Sequence, residues 1–278
     1  MRIIICGSSG FVGKELSRFF QNKGYEVLAL KVREITKLEE IIEKLEASDI
    51  LINLSGVSIF SRWTPSYKKS LHSSRINTTK KLVQAIKLCK NKPKLFISTS
   101  ATGIYKYEQF SDENSSYSDS YLSKICQDWE NEAFIANIPT TIFRFGVVIG
   151  KNGGMLKKMW LPFFLGLGGI IGNGKQSISW IHIDDLCNAY QYIIENHFEG
   201  VFNLCSPLPT TNFELTKTLA KLMKRPSFLP IPAALIKLVF LDGASFILKG
   251  QKVIPKHLLK KGFIFKYKSI QDALKSFF

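Results

Sequence analysis

The amino-acid sequence predicts an α/β protein with a doubly wound parallel sheet, followed by a smaller C-terminal lobe. Three observations lead to this fold class: short apolar runs alternate with amphipathic segments, a glycine-rich turn follows the first run, and the amino-acid composition changes beyond Pro226. Continuous apolar runs are typical of strands covered on both faces. Their alternation with helices implies parallel strands joined by right-handed crossovers. We therefore predict a first domain over residues 1–225 and a C-terminal module over residues 226–278.

The first domain contains the alternating elements that this fold requires. The apolar run from Ile3 to Cys6 is predicted as a buried strand, and the helix after it ends at Gly24, a typical stop signal. Strands are predicted at 3–6, 26–30, 50–54, 94–98, 140–145 and 201–204, and helices at 11–23, 36–46, 65–90, 120–137 and 184–195. Residues 150–180 are expected on the substrate side, and the Gly-, Leu-, Phe- and Trp-rich part of them, 150–174, suits a mobile apolar cover.

The charge balance is strongly basic, with a net charge of +16 and a pI near 9.6. Because lysines occur along nearly the whole chain, a lysine-rich solvated surface is the simplest explanation. More specific explanations of the positive charge would be binding of an anionic cofactor, a nucleic acid or an acidic lipid. We expect neither a nucleic acid nor a membrane as partner. No aromatic-interleaved basic motif occurs, and the apolar stretches 160–171 and 228–248 are too short or too interrupted to span a bilayer, which needs about 20 residues.

The cysteines are five in number and scattered: Cys6, Cys89, Cys126, Cys187 and Cys205. They lack the close pairing of a zinc site and are typical of buried thiols in a reducing compartment. The first apolar run is too short for a signal peptide. We therefore expect a soluble cytoplasmic protein without a metal site.

The turn Gly7-Ser8-Ser9-Gly10-Phe11-Val12-Gly13 lies between the first predicted strand and the first predicted helix. In a Rossmann-like sheet this βα turn is where a dinucleotide binds. Gly7 would permit the tight turn, Gly10 would let the backbone approach a pyrophosphate, and Gly13 would let the helix pack on the strand. Amides at the helix start would then face the phosphates. The alternative is a tight turn that holds no ligand.

The end of the second predicted strand favours NADP(H) over NAD(H). NAD-binding folds place a carboxylate there for the ribose hydroxyls, whereas this chain has Lys31 and Arg33. Either cation could pair with a 2′-phosphate. The alternative is that both are solvated loop residues, and Glu34 beside them counts against the assignment.

Several segments, in this order, resemble the extended, epimerase-like branch of the short-chain dehydrogenase/reductase superfamily. More narrowly, the chain is similar to its NAD-dependent epimerase family with a C-terminal domain of unknown function. The segments are GSSGFVG (7–13), INLSG (52–56), RW (62–63), SRINTTKKLVQAI (74–86), FISTSATGIY (96–105), CQDWE (126–130), RFGVVIGKNGGML (144–156), SWIHIDDL (179–186), FNLCSP (202–207) and the tail 229–267. The resemblance implies that residues 1–225 form an NAD(P)-binding domain of the epimerase/dehydratase type.

The resemblance also implies roles for residues outside the glycine turn. Leu54, Ser55 and Gly56 would lie against the adenosine side of the cofactor. Arg62 would be a candidate for a cofactor phosphate, or else an exposed loop arginine. His182 is expected to pack or hydrogen-bond rather than act as a base, and Asp184 is a candidate N-cap. Asn77 falls where relatives often place a structural asparagine.

The catalytic residues of the superfamily are a serine, a tyrosine and a lysine, and the resemblance maps them here to Ser100, Tyr121 and Lys124. The usual Tyr-x-x-x-Lys spacing puts both side chains on one helix face, and the lysine stabilises the phenolate. In this chain Lys124 comes at i+3 and Ile125 at i+4. The alternative for Tyr121 and Lys124 is an ordinary helix surface. Tyr105 is expected to pack beside the cofactor.

Two classes of function follow from these residues. The first is an NADP-dependent oxidoreductase or epimerase that acts on a small hydroxyl or carbonyl compound, with a homodimer as a possible assembly. The second, suggested by the shifted lysine, is a non-catalytic NADP(H)-binding sensor or scaffold.

Overall fold

The computed structural model describes residues 1–46 and 48–278, and a six-stranded parallel sheet lies at its centre. The strands are β1 Arg2–Cys6, β2 Glu26–Leu30, β3 Ile50–Asn53, β4 Leu95–Ala101, β5 Phe110–Ser111, β6 Thr140–Phe145, β7 Val147–Gly150, β8 Ser177–Ile178, β9 Trp180–His182, β10 Gly200–Leu204, β11 Thr210–Thr211 and β12 Lys252–Val253. The α-helices are α1 Phe11–Asn22, α2 Leu38–Glu46, α3 Pro65–Leu88, α4 Tyr121–Phe134, α5 Gly154–Phe164, α6 Ile183–Glu195, α7 Asn212–Met223, α8 Ala233–Phe240, α9 Ala244–Lys249, α10 Lys256–Lys260 and α11 Ile270–Lys275.

The strand order in the central sheet is β10-β6-β4-β3-β1-β2, and all neighbouring strands in it are parallel. The order reverses between β1 and β3, which places a crevice at the carboxyl ends of these strands, where open α/β sheets bind ligands. The predicted α/β fold class is therefore confirmed.

Two apolar cores cover the faces of this sheet. On one face, Leu16 and Phe20 of α1 pack with Leu186 and Tyr190 of α6. On the other face, the buried side chains come from α2, α3 and α4, as with Ile41. Strands between two such layers must be apolar throughout, which explains why the sequence shows continuous runs and no alternation.

The predicted elements are present, but several of their ends differ. The strand at 140–145 is recovered with its predicted ends and the first strand begins one residue earlier, at Arg2, whereas the predicted helix 120–137 ends at Phe134. Asn137 has a left-handed φ of +57°, which the helix cannot continue through. Among the described residues, no helix combines the length and apolar character needed to cross a membrane.

The C-terminal residues pack into cores that they share with the preceding chain. Phe263 and Phe265 join the core beneath α1 and α6, and Ile270, Leu274 and Phe277 join the core beneath α5 and α7. Strand β12 pairs in parallel with β5. The proposed boundary near residue 226 therefore lies between parts of the chain that pack closely together.

His182 and Asp185 anchor the last turns of this C-terminal segment. The His182 ring stacks between Tyr267 and Phe277, and its Nε2 lies 3.0 Å from the Ser276 hydroxyl. The Asp185 carboxylate accepts the backbone N–H groups of residues 266 and 267 at 2.8 and 2.9 Å. The packing role predicted for His182 is confirmed.

The prediction that Asp184 caps the start of α6 is wrong. His182 caps this helix, because its Nδ1 accepts the N–H of Asp184 at 3.0 Å. Asp184 is thus inside the first turn, where its negative charge suits the helix dipole.

Candidate functional site

The turn between β1 and α1 contains two glycines that the fold itself requires. Gly7 has a φ of +87°, which favours glycine, and a Cβ on it would lie 3.0 Å from the carbonyl carbon of Leu54. A Cβ on Gly13 would lie 2.4 Å from the carbonyl oxygen of Gly7. Gly10 differs, because its φ is −71° and a Cβ on it would meet only the Gly7 oxygen, at 3.3 Å. Packing explains Gly7 and Gly13, whereas a side chain on the exposed Gly10 would require the Gly7 carbonyl to shift by only a few tenths of an ångström.

The start of α1 offers backbone N–H groups to an anion. Gly10 is the N-cap of this helix, makes no side-chain cap and is followed by no acidic residue in the first turn. Its own N–H donates to the Gly7 carbonyl at 3.1 Å. The amides at residues 11–13 then have no partner within the helix, and the helix dipole favours negative charge there. Ser8 is half-buried and Ser9 exposed at the same turn.

The loop after β3 is held beside this glycine turn. The Leu54 N–H donates to the Cys6 carbonyl at 2.9 Å, and the Ser55 hydroxyl lies 2.8 Å from the Cys6 thiol. The Ser55 N–H donates to Oδ1 of Asn53 at 3.1 Å. The structure thus brings Leu54 and Ser55 together with the glycine turn, and the contact of Leu54, Ser55 and Gly56 with a cofactor stays a prediction.

The two cations predicted for a 2′-phosphate lie in different surroundings. The Lys31 ammonium pairs with Glu34 at 3.1 Å, and both side chains are exposed. Arg33 lines a cleft of about 420 Å³ together with Val32 and Val57, and no ion pair holds it among the described residues. Glu34 is engaged by Lys31, so Arg33 is the cation that faces the cleft.

Helix α3 forms the other wall of this cleft. Its lining residues recur at three- and four-residue intervals, which places them on one helix face: Ser70, Ser73, Ser74, Asn77, Thr78 and Lys81. Lys81 therefore adds a second cation to the cleft that holds Arg33. The sequence reasoning missed Ser74, Thr78 and Lys81, although small polar residues at helical spacing in SRINTTKK were an available signal.

Arg62 is exposed in the loop before α3, and its neighbour Trp63 holds that loop in place. The Trp63 indole N–H donates to the Ile59 carbonyl at 2.9 Å, and the Trp63 backbone N–H donates to Phe240 at 3.2 Å. The RW element thus ties the loop to the C-terminal segment. A phosphate role for Arg62 stays a prediction.

Ser100 lies at the end of β4 with its hydroxyl buried and without a hydrogen-bond partner among the described residues. Burial raises the pKa of the adjacent Cys126 thiol to about 11, while the Ser100 hydroxyl lowers it slightly. Leu122 is close to the same strand end, since a Cβ on Gly103 would lie 2.4 Å from its Cδ2 atom. The face of α4 that meets β4 therefore carries Leu122 and Cys126.

Tyr121 and Lys124 lie on a different face of α4. The Tyr121 hydroxyl donates to the Lys68 carbonyl at 2.9 Å, and its ring meets Trp63 edge-on at 6.1 Å between centroids. Lys124 is exposed. No hydrogen bond joins Ser100, Tyr121 and Lys124 in the part of the chain that the structure describes, so their catalytic roles stay a prediction without geometric support.

Tyr105 is fully buried within the protein, which corrects the expectation that it packs beside a cofactor. Its hydroxyl donates to Oδ1 of Asn203 at 2.9 Å and accepts from Arg144 at 2.7 Å. Arg144 in turn forms two hydrogen bonds with the Glu130 carboxylate, at 2.8 and 2.7 Å. Burial raises the pKa of the Tyr105 phenol, which suits a structural hydroxyl.

Phe11 connects the glycine turn to the predicted cover at residues 150–174. Cβ atoms on Gly150 and Gly153 would lie 2.5 and 2.1 Å from its ring, so this ring fills the space those glycines leave. Further along, the Lys158 ammonium donates to the Phe60 carbonyl at 2.6 Å. The segment therefore lies over the turn and reaches the loop that precedes α3.

Comparison with known proteins agrees with this geometry. The family model described as "NAD dependent epimerase/dehydratase family" matches residues 3–205, and a domain of unknown function, DUF1731, matches residues 231–277. The chain is 33% identical over 289 residues to the mouse epimerase family protein SDR39U1, covering 99% of both chains. It is 34% identical over 301 residues to a chloroplastic SDR39U1 homolog of Arabidopsis thaliana, covering 99% of this chain and 86% of that protein.

Among solved structures, a crystal structure of the human epimerase family protein SDR39U1 with NADPH superposes with a TM-score of 0.92 at 33% identity. The match covers 100% of this chain and 99% of that one. Three findings agree on the family: the α/β fold, the glycine turn where the strand order reverses between β1 and β3, and the family match over most of the chain. The chain belongs to the NAD-dependent epimerase/dehydratase family and carries the DUF1731 domain at its C-terminal end.

Proposed function

We propose that this protein binds NADP(H) at the crevice between β1 and β3 and uses it on a small hydroxyl or carbonyl compound, as an oxidoreductase or epimerase. The observation that carries the proposal is the uncapped start of α1 behind the glycine turn, where the amides at residues 11–13 have no partner within the helix. The human relative, 33% identical over the full length, was crystallised with NADPH, which supports the same ligand class here.

The preference for NADP(H) over NAD(H) is part of this proposal. Arg33 and Lys81 both line the cleft beside the loop after β3, and no carboxylate is among its lining residues. A 2′-phosphate placed between them would form charge-assisted hydrogen bonds, whereas ribose hydroxyls alone would leave both cations unpaired.

Calorimetry with NADPH and NADH tests the binding. We expect wild-type protein to bind NADPH more tightly, and Arg33→Gln to weaken NADPH about tenfold with little change for NADH. Lys31→Gln is the matched control, since Glu34 already engages that lysine, and we expect less than a twofold change. Equal losses for NADPH and NADH in Arg33→Gln would contradict the assignment to the 2′-phosphate, and absence of heat with either dinucleotide would contradict binding itself.

The chemical step needs groups that the chain must place near the nicotinamide. The bound cofactor supplies or accepts a hydride, and the protein must exchange a proton with the substrate oxygen. Ser100 is the predicted residue nearest the end of a central strand, and its buried hydroxyl, beside the Cys126 thiol, is the candidate hydrogen-bond donor.

A sensor or scaffold that binds NADP(H) without turnover is the second candidate function. One observation favours it: the Tyr121 phenol already donates to a backbone carbonyl, and the residue of α4 beside Ser100 is Cys126 rather than a tyrosine or a lysine. A panel of carbonyl compounds with NADPH, followed by absorbance, distinguishes the two. If a carbonyl compound is turned over and Tyr121→Phe lowers the rate at least 100-fold, the predicted catalytic tyrosine is supported. Binding without any hydride transfer would support the sensor.

We also propose a compartment and an assembly for this protein. We place the protein in a reducing compartment, the cytoplasm, because its five cysteines are all buried and unpaired. A homodimer is the assembly proposed, and light scattering at micromolar concentration checks it, since a mass near 31.5 kDa would show a monomer.

A further inference from the structure

Arg75 is a buried arginine in the middle of α3, with only 9% of its surface exposed. Its guanidinium donates to the Leu71 carbonyl at 3.0 Å and to the Val57 carbonyl at 2.9 Å. Its central carbon lies 5.3 Å from the centroid of the Trp129 ring. These contacts fix the guanidinium in one position without neutralising its charge.

No carboxylate forms an ion pair with Arg75 in the described part of the chain. The nearby acidic groups are the Cys126 thiol and the Tyr67 phenol. Burial raises the pKa of Cys126 to about 11, so this thiol is neutral near pH 7. The Tyr67 hydroxyl donates its proton to the Ser58 carbonyl at 2.6 Å. Burial also lowers the pKa of Arg75, and the positive charge of Arg33 adds to this. A buried charge is normally paired, so Arg75 is a cation without its counter-ion.

The position of Arg75 indicates where that counter-ion would bind. A Cβ on Gly56 would lie 2.9 Å from the Arg75 guanidinium carbon, so the loop after β3 passes directly over this group. The same loop touches the glycine turn, since a Cβ on Gly7 would lie 3.0 Å from Leu54 and 3.2 Å from the Ser55 nitrogen. Contacts therefore run without interruption from Arg75 through the loop to the turn at α1.

We propose that Arg75 is a positioning residue whose buried charge is balanced by the pyrophosphate of the bound dinucleotide, acting through the loop 54–57. This inference rests on the proposed function, because it needs a dinucleotide at the glycine turn. Arg75 holds the loop through the Val57 carbonyl and supplies a positive potential beneath it. The α1 amides supply a second positive potential at the turn.

The pyrophosphate is the part of the cofactor that Arg75 serves, because the 2′-phosphate has its own cations. Arg33 and Lys81 line the cleft between the end of β2 and α3. Arg75 contacts the wall of this cleft through the Val57 carbonyl, and it lies under the loop that continues β3. Strand β3 pairs directly with β1, with Asn53 opposite Cys6. Loss of Arg75 should therefore affect NADPH and NADH alike, whereas loss of Arg33 should affect NADPH alone.

The test compares Arg75→Gln and Arg75→Lys with wild type by calorimetry, using NADPH and NADH in parallel. Glutamine can still donate to a backbone carbonyl but has no charge, and lysine keeps the charge but loses the fork. Arg225→Gln is the matched control: it removes one positive charge from an exposed arginine that lies over Phe164. Thermal unfolding of each ligand-free protein is measured beside the titrations.

We expect Arg75→Gln to weaken both dinucleotides about tenfold, which corresponds to about 1.4 kcal/mol. The unfolding midpoint of the ligand-free protein should stay the same or rise, since an uncompensated buried charge is removed. Arg75→Lys should stay within about threefold of wild type, and Arg225→Gln should not differ from wild type. The expected signature is therefore weaker binding in a protein that is not less stable.

Three results would overturn the inference. Wild-type affinity in folded Arg75→Gln would show that the residue only supports packing, and a loss confined to NADPH would assign it to the 2′-phosphate. If Arg75→Gln does not fold, Arg75→Lys decides: a tenfold loss there would show that the fork geometry matters and the charge does not. Failure of the wild-type protein to bind either dinucleotide is the separate result that removes the proposed function itself.

Discussion

Replacing Gly10 by alanine should separate ligand binding from stability at the glycine turn. Gly10 has an ordinary extended backbone, with φ of −71° and ψ of 169°, which any residue can adopt. Its added Cβ would point into space where only the Gly7 carbonyl oxygen lies within reach, at 3.3 Å. If a pyrophosphate approaches the backbone here, the methyl group would occupy part of the space that the ligand needs.

The structure allows the size of each effect to be worked out. Alanine restricts the unfolded chain and so stabilises by about 0.4–1 kcal/mol, while it is a poorer N-cap than glycine by a similar amount. The free energy of unfolding should therefore change by less than about 1 kcal/mol. A methyl group that separates a phosphate from two amides should weaken NADPH by at least tenfold, or about 1.4 kcal/mol.

Gly13→Ala is the contrasting variant for this experiment. Its Cβ would lie 2.4 Å from the Gly7 oxygen and 2.6 Å from the Ser8 Cα, both backbone atoms, so the helix must shift. Overpacking of this kind costs about 1–3 kcal/mol. Urea unfolding and NADPH calorimetry on both variants check the difference. Wild-type NADPH affinity in Gly10→Ala would refute the claim that a pyrophosphate lies on this turn.

Two further predictions concern buried charges away from the turn. Glu130→Gln should lower the free energy of unfolding by about 3 kcal/mol, because the buried Arg144 guanidinium loses its carboxylate; urea unfolding checks this, and a change below 1 kcal/mol would show that the pair is dispensable. Burial lowers the pKa of His182 from 6.5 to about 4, so the unfolded chain binds a proton first and stability falls as the pH drops from about 6.5 toward 4. We expect a loss of about 2 kcal/mol between pH 7 and pH 5, and His182→Asn, whose amide oxygen can replace Nδ1 as the capping acceptor, should remove this pH-dependent loss.

The sequence was informative wherever one local pattern decides the structure. Buried parallel strands need continuous apolar runs, so the central strands were predictable within a few residues. The glycine turn was predictable because tight backbone approach leaves no alternative to glycine at positions 7 and 13. His182 was predictable as a packing residue because it lies within an apolar motif, and the structure stacks it between two rings.

Residues whose roles depend on which side of a helix faces the sheet were less predictable. Tyr121 and Lys124 were assigned by spacing along α4, and a shift of one position turns a helical side chain by about 100°. In the structure, the residues of α4 that meet β4 are Leu122 and Cys126, because these positions complete the apolar face with Ile125 and Trp129. The core requirement thus sets the orientation of α4, and the polar residues occupy the faces that remain.

In helix α3 the apolar core again sets the orientation of the helix, but here a polar face that remains lines the cleft. One face of this basic helix is made of small polar residues that line the cleft, and Arg75 on the neighbouring face is buried against Trp129. Small side chains there keep the cleft open, while the apolar residues further along, such as Leu82 and Val83, pack on the sheet. A charge count treats Arg33, Arg75 and Lys81 as three equal cations. Their burial and their partners distinguish Arg33 and Lys81, which line the cleft, from Arg75, which is buried beneath the loop 54–57. A net charge of +16 is therefore uninformative about the cofactor, because the charges that matter are set by their position around one loop.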